Sequence, residues 1–409
     1  MRFPSGLRAL NHRDFRLFTS GQLISLVGTW MQSVAQSWLV LELTNSPLKL
    51  GIVGTLQFGP MLLFSFLAGA AADRLPKRRV ILATQTALML QAFVLAALAW
   101  TGHVRYWHVA VLAFGYGMAT TLDMPTRQSF IVEMVGRQDL SNAIALNSAM
   151  FNGARMIGPA VAGLLVDRFG VAIAFGINGL SFIAVLIALA AMRAEGLPSH
   201  RDGSSIRQDI LVGVRYAKDT PLVALILSLL LSISLFVLNH NVMVPLLARD
   251  ILHLNAHGFG LLMAALGTGA VIGAFALAAF VQSHPPLWIL MSAAVISSAS
   301  ILSLSAVRTE FIAAAILSVV GLSQIMFLAS CNTTLQMVVP DRLRGRIMSL
   351  YAFVFAGVTP IGSFLMGGIA EWFGISAAYA VGGGIGLACV LGLMVVWWRA
   401  SAGTGRTAV

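Results

Sequence analysis

Twelve stretches of this sequence are apolar for roughly 20 residues or more, the length of helix that crosses a bilayer. They run over 16–41, 48–72, 80–101, 107–127, 142–166, 170–192, 222–247, 257–281, 287–306, 311–337, 347–370 and 375–398. Several exceed one crossing, which implies tilted helices or ends that project beyond the membrane. Little chain remains for anything else. Of 409 residues, 58% are apolar and 10% charged, against about 45–50% and about 25% in an ordinary soluble domain. A water-soluble globule of this composition would expose large apolar patches and aggregate. The reading is an all-α membrane protein with twelve transmembrane helices. A soluble enzyme and a disordered chain are excluded. So is a nucleic-acid-binding protein, because the net charge of +11 sits in short runs between the spans and forms no continuous basic surface.

Those runs set the orientation. Lys49, Arg105, Arg168, Arg249 and Arg308 fall on one side of the membrane and Arg155 lies inside a span; the rest of the 26 lysines and arginines fall on the other side. By the positive-inside rule that second side is cytoplasmic, and it carries both termini. The expected location is a bacterial-type inner membrane. The start, with Arg2, Arg8, Arg13 and Arg16, lacks the short apolar core and cleavage site of a removable leader, so the first span is read as a retained anchor. Cys331 and Cys389 both lie in apolar segments and read as small packed residues, not as a disulfide framework.

The longest polar stretch divides the chain into 1–192, a linker at 193–220, and 221–409. Within the linker, Ile206, Ile210, Leu211, Val214 and Ala217 recur at helical spacing, which predicts a short amphipathic helix on the membrane surface. The two halves share a pattern. "MIGPAVAGLLVDRFG" (156–170) and "GVTPIGSFLMGGIAEWFG" (357–374) each carry a proline near the start and end on glycine, after the loops "VEMVGRQDL" and "LQMVVPDRL". A half-chain repeat implies two pseudo-symmetric six-helix bundles with a site between them, the plan of a secondary transporter.

The segment "GAAADRLPKRR" (69–79) resembles the G-x-x-x-D-R-x-x-R-R loop of the major facilitator superfamily, through Gly69, Asp73, Arg74, Arg78 and Arg79; Pro76 stands where the family usually has glycine. The resemblance implies a cytoplasmic gate in which Asp73 faces the helix that starts near Arg346. "ARMIGPAVAG" (154–163) is similar to the G-x-x-x-G-P-x-x-G-G element of the superfamily's drug:proton antiporters: Gly158, Pro159 and Gly163 match, while Ala154 and Ala162 replace glycine. Ala154, Gly158 and Ala162 form a small-residue stripe for close helix contact. A third antiporter pattern, R-x-x-x-G-x-G, is met by Gly115 and Gly117 but has Val111 in place of the arginine. With "NHRDFRLFTSGQLISLVGTWMQSVAQSWLVLELTNSP" (11–47), the whole chain resembles the enterobactin-exporter-like branch of the superfamily. That resemblance implies the major facilitator fold and export of a small amphipathic molecule, a siderophore or drug-like compound, in exchange for protons.

Polar stripes point to a cavity independently. On the first span Gln22, Ser25, Thr29, Gln32 and Gln36 recur at spacings of three and four; the fourth offers Tyr116, Thr120, Asp123 and Arg127, the seventh Ser228, Ser232 and Asn239 beside His240 and Asn241. A polar face inside a bilayer must meet protein or water. Gln32, Gln36, Tyr116, Arg155, Ser232 and Asn239 are the candidate cavity residues. Asp123, paired with Arg127 at i,i+4, and Glu42 are the candidates for carrying a proton. Arg155 would attract an anionic cargo, tune a nearby carboxyl, or serve as one side of a structural ion pair. His253 and His257 lie one helical turn apart without a third ligand, so no metal is expected, and "GTGAVIG" (267–273) follows no strand and is not a dinucleotide loop. No phosphate loop, nucleophile elbow or H-E-x-x-H pair occurs, so no cofactor and no enzyme activity are expected. The expected partners are a small-molecule cargo, protons and the lipid bilayer, with the chain acting as a monomer. Uptake or lysolipid flipping by the same fold, and a non-transporting membrane sensor, are the alternatives.

Overall fold

The computed structural model describes residues 4–196, 206–280 and 285–404; Arg2, Arg201 and Arg406 of the basic runs lie outside them. The described residues are helical almost throughout and include no strand. In order the helices are α1 (Arg13–Thr44), α2 (Pro47–Arg74), α3 (Lys77–Trp100), α4 (Tyr106–Phe169), α5 (Val171–Ala191), α6 (Ile206–Asp219), α7 (Pro221–Phe236), α8 (His240–Leu246), α9 (Ala256–Phe280), α10 (Leu287–Ser303), α11 (Glu310–Val338), α12 (Asp341–Ala352), α13 (Thr359–Phe373) and α14 (Ile375–Thr404). A short 3₁₀ segment, Ser5–Asn11, precedes α1.

Among the described residues, 10 helices are long and apolar enough to cross a membrane, and two physical reasons reconcile this with twelve spans. The polar side chains along α1 (Gln22, Ser25, Gln32 and Gln36 among them) lower its hydropathy, and it is not among the ten. The 64-residue α4 is counted once, yet at 1.5 Å per residue it is about 96 Å long, three times a hydrocarbon core of about 30 Å. It turns at Gly136, where φ is 70°, a backbone conformation that favours glycine. The segment expected as a loop before the fifth span is therefore helical on both sides of one glycine.

The chain forms two compact units. Unit 1 is Met1–Asn45, Leu56–Asp202 and Asn255–Ala264; unit 2 is Ser46–Thr55, Gly203–Leu254 and Ala265–Val409. The start of α2 groups with the second half of the chain, the start of α9 with the first, and α6 belongs to unit 2.

In unit 1, α1 packs on α4 and α5, and α3 fills the space beside both. Phe15, Phe18, Ile81, Phe130, Val185 and Leu189 close the core at one end, with Phe18 and Phe130 edge to face at 6.4 Å. The N-terminal segment is tied to α4 there: Asn142 Oδ1 accepts from the Ala9 N–H at 2.9 Å, and its Nδ2 donates to the Gly6 carbonyl at 2.6 Å. Asp14 accepts from the N–H groups of Arg193 and Ala194, fixing the chain as it leaves α5.

In unit 2, α10 packs on α11 and α14, and α7 on α13 and α14. The predicted linker helix forms as α6 and packs on α12. The repeat seen in sequence has a structural counterpart. Gly170 (φ 79°) ends α4 and Gly374 (φ 87°) ends α13, and a new helix starts at the next residue in each case. Large apolar side chains such as Phe311, Trp372 and Trp398 are exposed, as a lipid-facing surface requires.

Candidate functional site

The gate-like loop closes α2. Arg74 and Arg79 are exposed, and Arg78 donates to the Ala190 carbonyl at 2.9 Å. The side chain of Asp73 lies outside the described residues. None of the described atoms comes within 4 Å of where a side chain on Gly69 would start. The adjoining Lys77 is 2% exposed and forms an ion pair with Glu133 of α4 at 2.5 Å.

The antiporter-like element packs as its small residues suggest. Ala154 and Ala162 are buried in unit 1. A side chain on Gly158 would begin 2.6 Å from Trp30 Cβ and 2.9 Å from the Val27 carbonyl of α1. At Gly163 it would begin 2.8 Å from the Ala256 carbonyl and 2.9 Å from Gly260 Cα, at the start of α9. Asn255 at that start donates to Asp167 Oδ1 at 2.7 Å and caps the Gly258 N–H. Unit 2 repeats the arrangement with the start of α2. A side chain on Gly51 would meet the Ser363 carbonyl at 2.6 Å, and Glu371 accepts from Ser46 Oγ and from the Leu48 N–H at 2.7 and 3.0 Å. Each arrangement places an acid of the repeated motif at the N-terminus of the helix that crosses it, where a negative charge is favoured.

Asp123 is 5% exposed. Its Oδ1 accepts from Thr84 Oγ1 at 2.7 Å and Gln85 Nε2 at 3.0 Å, and its Oδ2 is ion-paired with Arg127. The Arg127 guanidinium also lies over the Phe18 ring, 5.9 Å from its centroid. Both oxygens of this carboxylate are thus engaged by protein donors. Glu42, in the last turn of α1, is exposed and accepts from Trp38 Nε1 at 2.7 Å.

The helix 1 stripe turns into unit 1. Gln32 Nε2 donates to Gln91 Oε1 of α3 at 2.8 Å, and Asn178 Nδ2 of α5 donates to Gln32 Oε1 at 2.7 Å. Gln36 donates to Gln57 of α2 at 3.0 Å. Both glutamines are buried. Their amides are engaged by neighbouring helices, as a polar group inside a bilayer requires. Tyr116 packs against Leu88, Ala92 and Phe182 and is half-buried.

Arg155 stands apart. Its guanidinium lies 5.8 Å from the Trp30 ring centroid, and Phe151 meets the same ring edge to face at 5.6 Å. No ion pair reaches it among the described residues, and its Nε is buried without a hydrogen-bond acceptor.

In unit 2, Ser232 is buried with no partner for its hydroxyl among the described residues. Asn239 sits where the seventh span breaks between α7 and α8, beside a small cavity also lined by His240 and Tyr379. Sequence reasoning missed Thr84, Gln85, Gln91, Asn178, Gln324 and Tyr379. Gln91, Asn178 and Tyr379 are single polar groups in apolar runs, whereas Thr84 and Gln85 stand together before Thr86 and Gln324 follows Ser323; only that polarity within a span could have flagged them.

The whole length of the chain compares with known transport proteins. The model of the transmembrane secretion effector family matches residues 4–401. The multidrug efflux pump Tap of Mycolicibacterium fortuitum is 25% identical, over 86% of this chain and 88% of that protein. The enterobactin exporter EntS of Shigella boydii is 27% identical, over 94% and 92%. Among solved structures, the nucleoside transporter NupG superposes with a TM-score of 0.74 at 12% identity, covering 94% of this chain and 99% of that one. The last likeness shows the major facilitator-type fold.

Proposed function

The chain belongs to the transmembrane secretion effector family, and from that premise we propose that it exports a small amphipathic molecule, a siderophore or drug-like compound, in exchange for protons. The exchange works by alternating access: cargo and proton bind the inward- and outward-open states unequally, and that difference drives the cycle. The location is a bacterial inner membrane, with both termini in the cytoplasm.

One observation carries the cargo chemistry. Arg155 places a cation against the aromatic pair Trp30 and Phe151, within the membrane and with no carboxylate against it among the described residues. An uncompensated charge there costs at least about 2.5–3.5 kcal/mol. A cargo that brings its own negative charge and an aromatic ring offsets that cost and stacks on the same surface. Catecholate siderophores have this chemistry, and the likeness to a protein named an enterobactin exporter supports the reading. Asp123 is the coupling acid of this reading, with Arg127 as the donor that must let go when the proton arrives.

The test uses protein reconstituted in vesicles under an imposed pH gradient, with enterobactin and the cation ethidium as probes. Export of enterobactin should be gradient-driven and lost in Arg155→Ala, while any ethidium flux persists. Asp123→Asn should leave downhill flux and abolish accumulation. Gradient-independent flux of both probes would defeat the exchange reading, and net inward accumulation would replace export with uptake.

A further inference from the structure

We propose that the groove between α10 and α14 of unit 2 binds one anionic phospholipid, with an acyl chain along the groove and the phosphate at Arg399.

The two helices meet closely at one end and frame the groove toward the other. A side chain on Gly383 of α14 would start 2.3 Å from the Leu302 backbone nitrogen of α10, and one on Gly386 would start 3.4 Å from Ser298 Oγ. Further along, Met291, Val295 and Ile296 of α10 and Leu391 and Met394 of α14 line a groove of about 480 Å³, and Trp288 also borders it. That volume falls within the range of small-molecule pockets, about 300–1,000 Å³. The contacts descend along α10 as they ascend along α14, so the helices are antiparallel. The same order places Trp398 and Arg399, about one turn beyond Met394, at the level of Trp288 and the start of α10.

The lining selects the occupant. Ile296 and Leu391 are exposed, so the groove opens outward from the chain. Its serine, Ser292, donates to the Ile289 carbonyl at 3.1 Å, and the rest of the lining is apolar or aromatic. Nothing in it asks for a polar ligand, and a hydrocarbon chain fills such a wall by area burial alone. Trp288 and Trp398 are both largely exposed, and tryptophans of a membrane protein gather at the level of the lipid headgroups. Arg399 is exposed beside Trp398, and no carboxylate pairs with it among the described residues. A guanidinium at that level matches a phosphate and attracts a lipid of net negative charge. A second copy packed on this face by two-fold symmetry would bring the same two helices, and neither carries an acid to meet Arg399. A lipid supplies both the chain and the charge.

The site stands on unit 2 and is independent of the export reading. Protein purified in detergent is incubated with equal amounts of phosphatidylglycerol and phosphatidylcholine carrying the same acyl chains, and the lipid it retains is counted by native mass spectrometry. Both lipids have the phosphate; phosphatidylglycerol alone has the net charge. The wild-type chain should keep one lipid, with phosphatidylglycerol favoured about fivefold, the worth of one basic side chain near a lipid surface. Arg399→Gln should keep the lipid and lose the preference. Val295→Trp fills the groove and should lose the lipid; Leu391→Trp, at an exposed position, serves in its place if Val295→Trp fails to fold. No retained lipid, or equal retention of the two by the wild-type chain, overturns the proposal. So does a preference unchanged in Arg399→Gln, or a lipid still held when the groove is filled. A wild-type dimer that Val295→Trp dissociates shows a second copy in the groove and overturns it as well.

Discussion

The interiors of the two units are both polar, but in different ways. Among the described residues, the buried charges, Lys77 and Asp123, lie in unit 1 and meet Glu133 and Arg127. The buried polar side chains of unit 2 are serines, Asn239, His240 and Gln324, with no buried charge among those described. In unit 1 the amides answer one another across three helices, through Gln32, Gln91 and Asn178. In unit 2 the hydroxyls of Ser232, Ser234, Ser297 and Ser330, with Tyr379 Oη, have no partner among the described residues. Unit 1 also holds buried atoms without a partner among the described residues, Thr19 Oγ1, Gln22 Oε1 and Arg155 Nε among them, so the difference lies in its buried charges and in the amide chain that joins its helices. A polar stripe in a membrane sequence does not by itself reveal such partners.

Mutation should separate the two interiors. The largest loss of stability is expected from Asp123→Ala, which strands Arg127, Thr84 and Gln85 in unit 1. Breaking one side of a buried ion pair costs about 3–5 kcal/mol. Thermal unfolding in detergent should show this against Asp123→Asn, which keeps two of the hydrogen bonds and loses less. An equal loss in both variants would mean that the charge contributes nothing and shape everything. Next comes Gln32→Leu, which leaves Gln91 and Asn178 without their partner. The expected loss is about 1–3 kcal/mol, the range for a stranded buried polar group. A change below that range would return Gln32 to the role its spacing first suggested, a residue facing water.

Gln32 marks the boundary between what the sequence could and could not say. Span positions, the linker helix and the paired glycines at 170 and 374 were legible because each rests on local chemistry: apolar length, helical spacing, and a left-handed residue between two helices. The partners of the Gln32 stripe were not. Gln91 and Asn178 are single amides in apolar runs, and only the packing of α3 and α5 on α1 brings them to it. The break at Asn239 was equally hidden, since no proline stands at it and a side-chain amide does the work of a backbone N–H. Hydropathy reads α7 and α8 as one span. The grouping of the starts of α2 and α9 was out of reach for a further reason: it depends on glycines far apart in sequence, Gly51 with Gly367 and Gly163 with Gly260.

A smaller effect tests those crossings. Ser46→Ala removes one of the two donors that hold Glu371 at the start of α2. Loss of such a cap costs about 0.5–2 kcal/mol. Asp167→Ala should do the same at the start of α9, where the carboxylate holds Asn255. Similar losses in the two variants would extend the repeat from sequence to energetics. A loss at one crossing alone would show that the units share a pattern without sharing its stability.

The smallest effect is the sharpest. Ser234 is fully buried, and its hydroxyl has no partner among the described residues. Removing an unsatisfied hydroxyl takes away a desolvation penalty and no bond, so Ser234→Ala should leave unfolding unchanged or raise stability by up to about 1 kcal/mol. The equivalent change in unit 1, Ser181→Ala, deletes a hydroxyl bonded to Asn178 at 2.7 and 3.1 Å, and should destabilise. Opposite signs for two serine-to-alanine changes at buried positions would show that the bonded hydroxyl holds its unit together and the unbonded one does not. Matching losses would mean that Ser234 has a partner in the membrane.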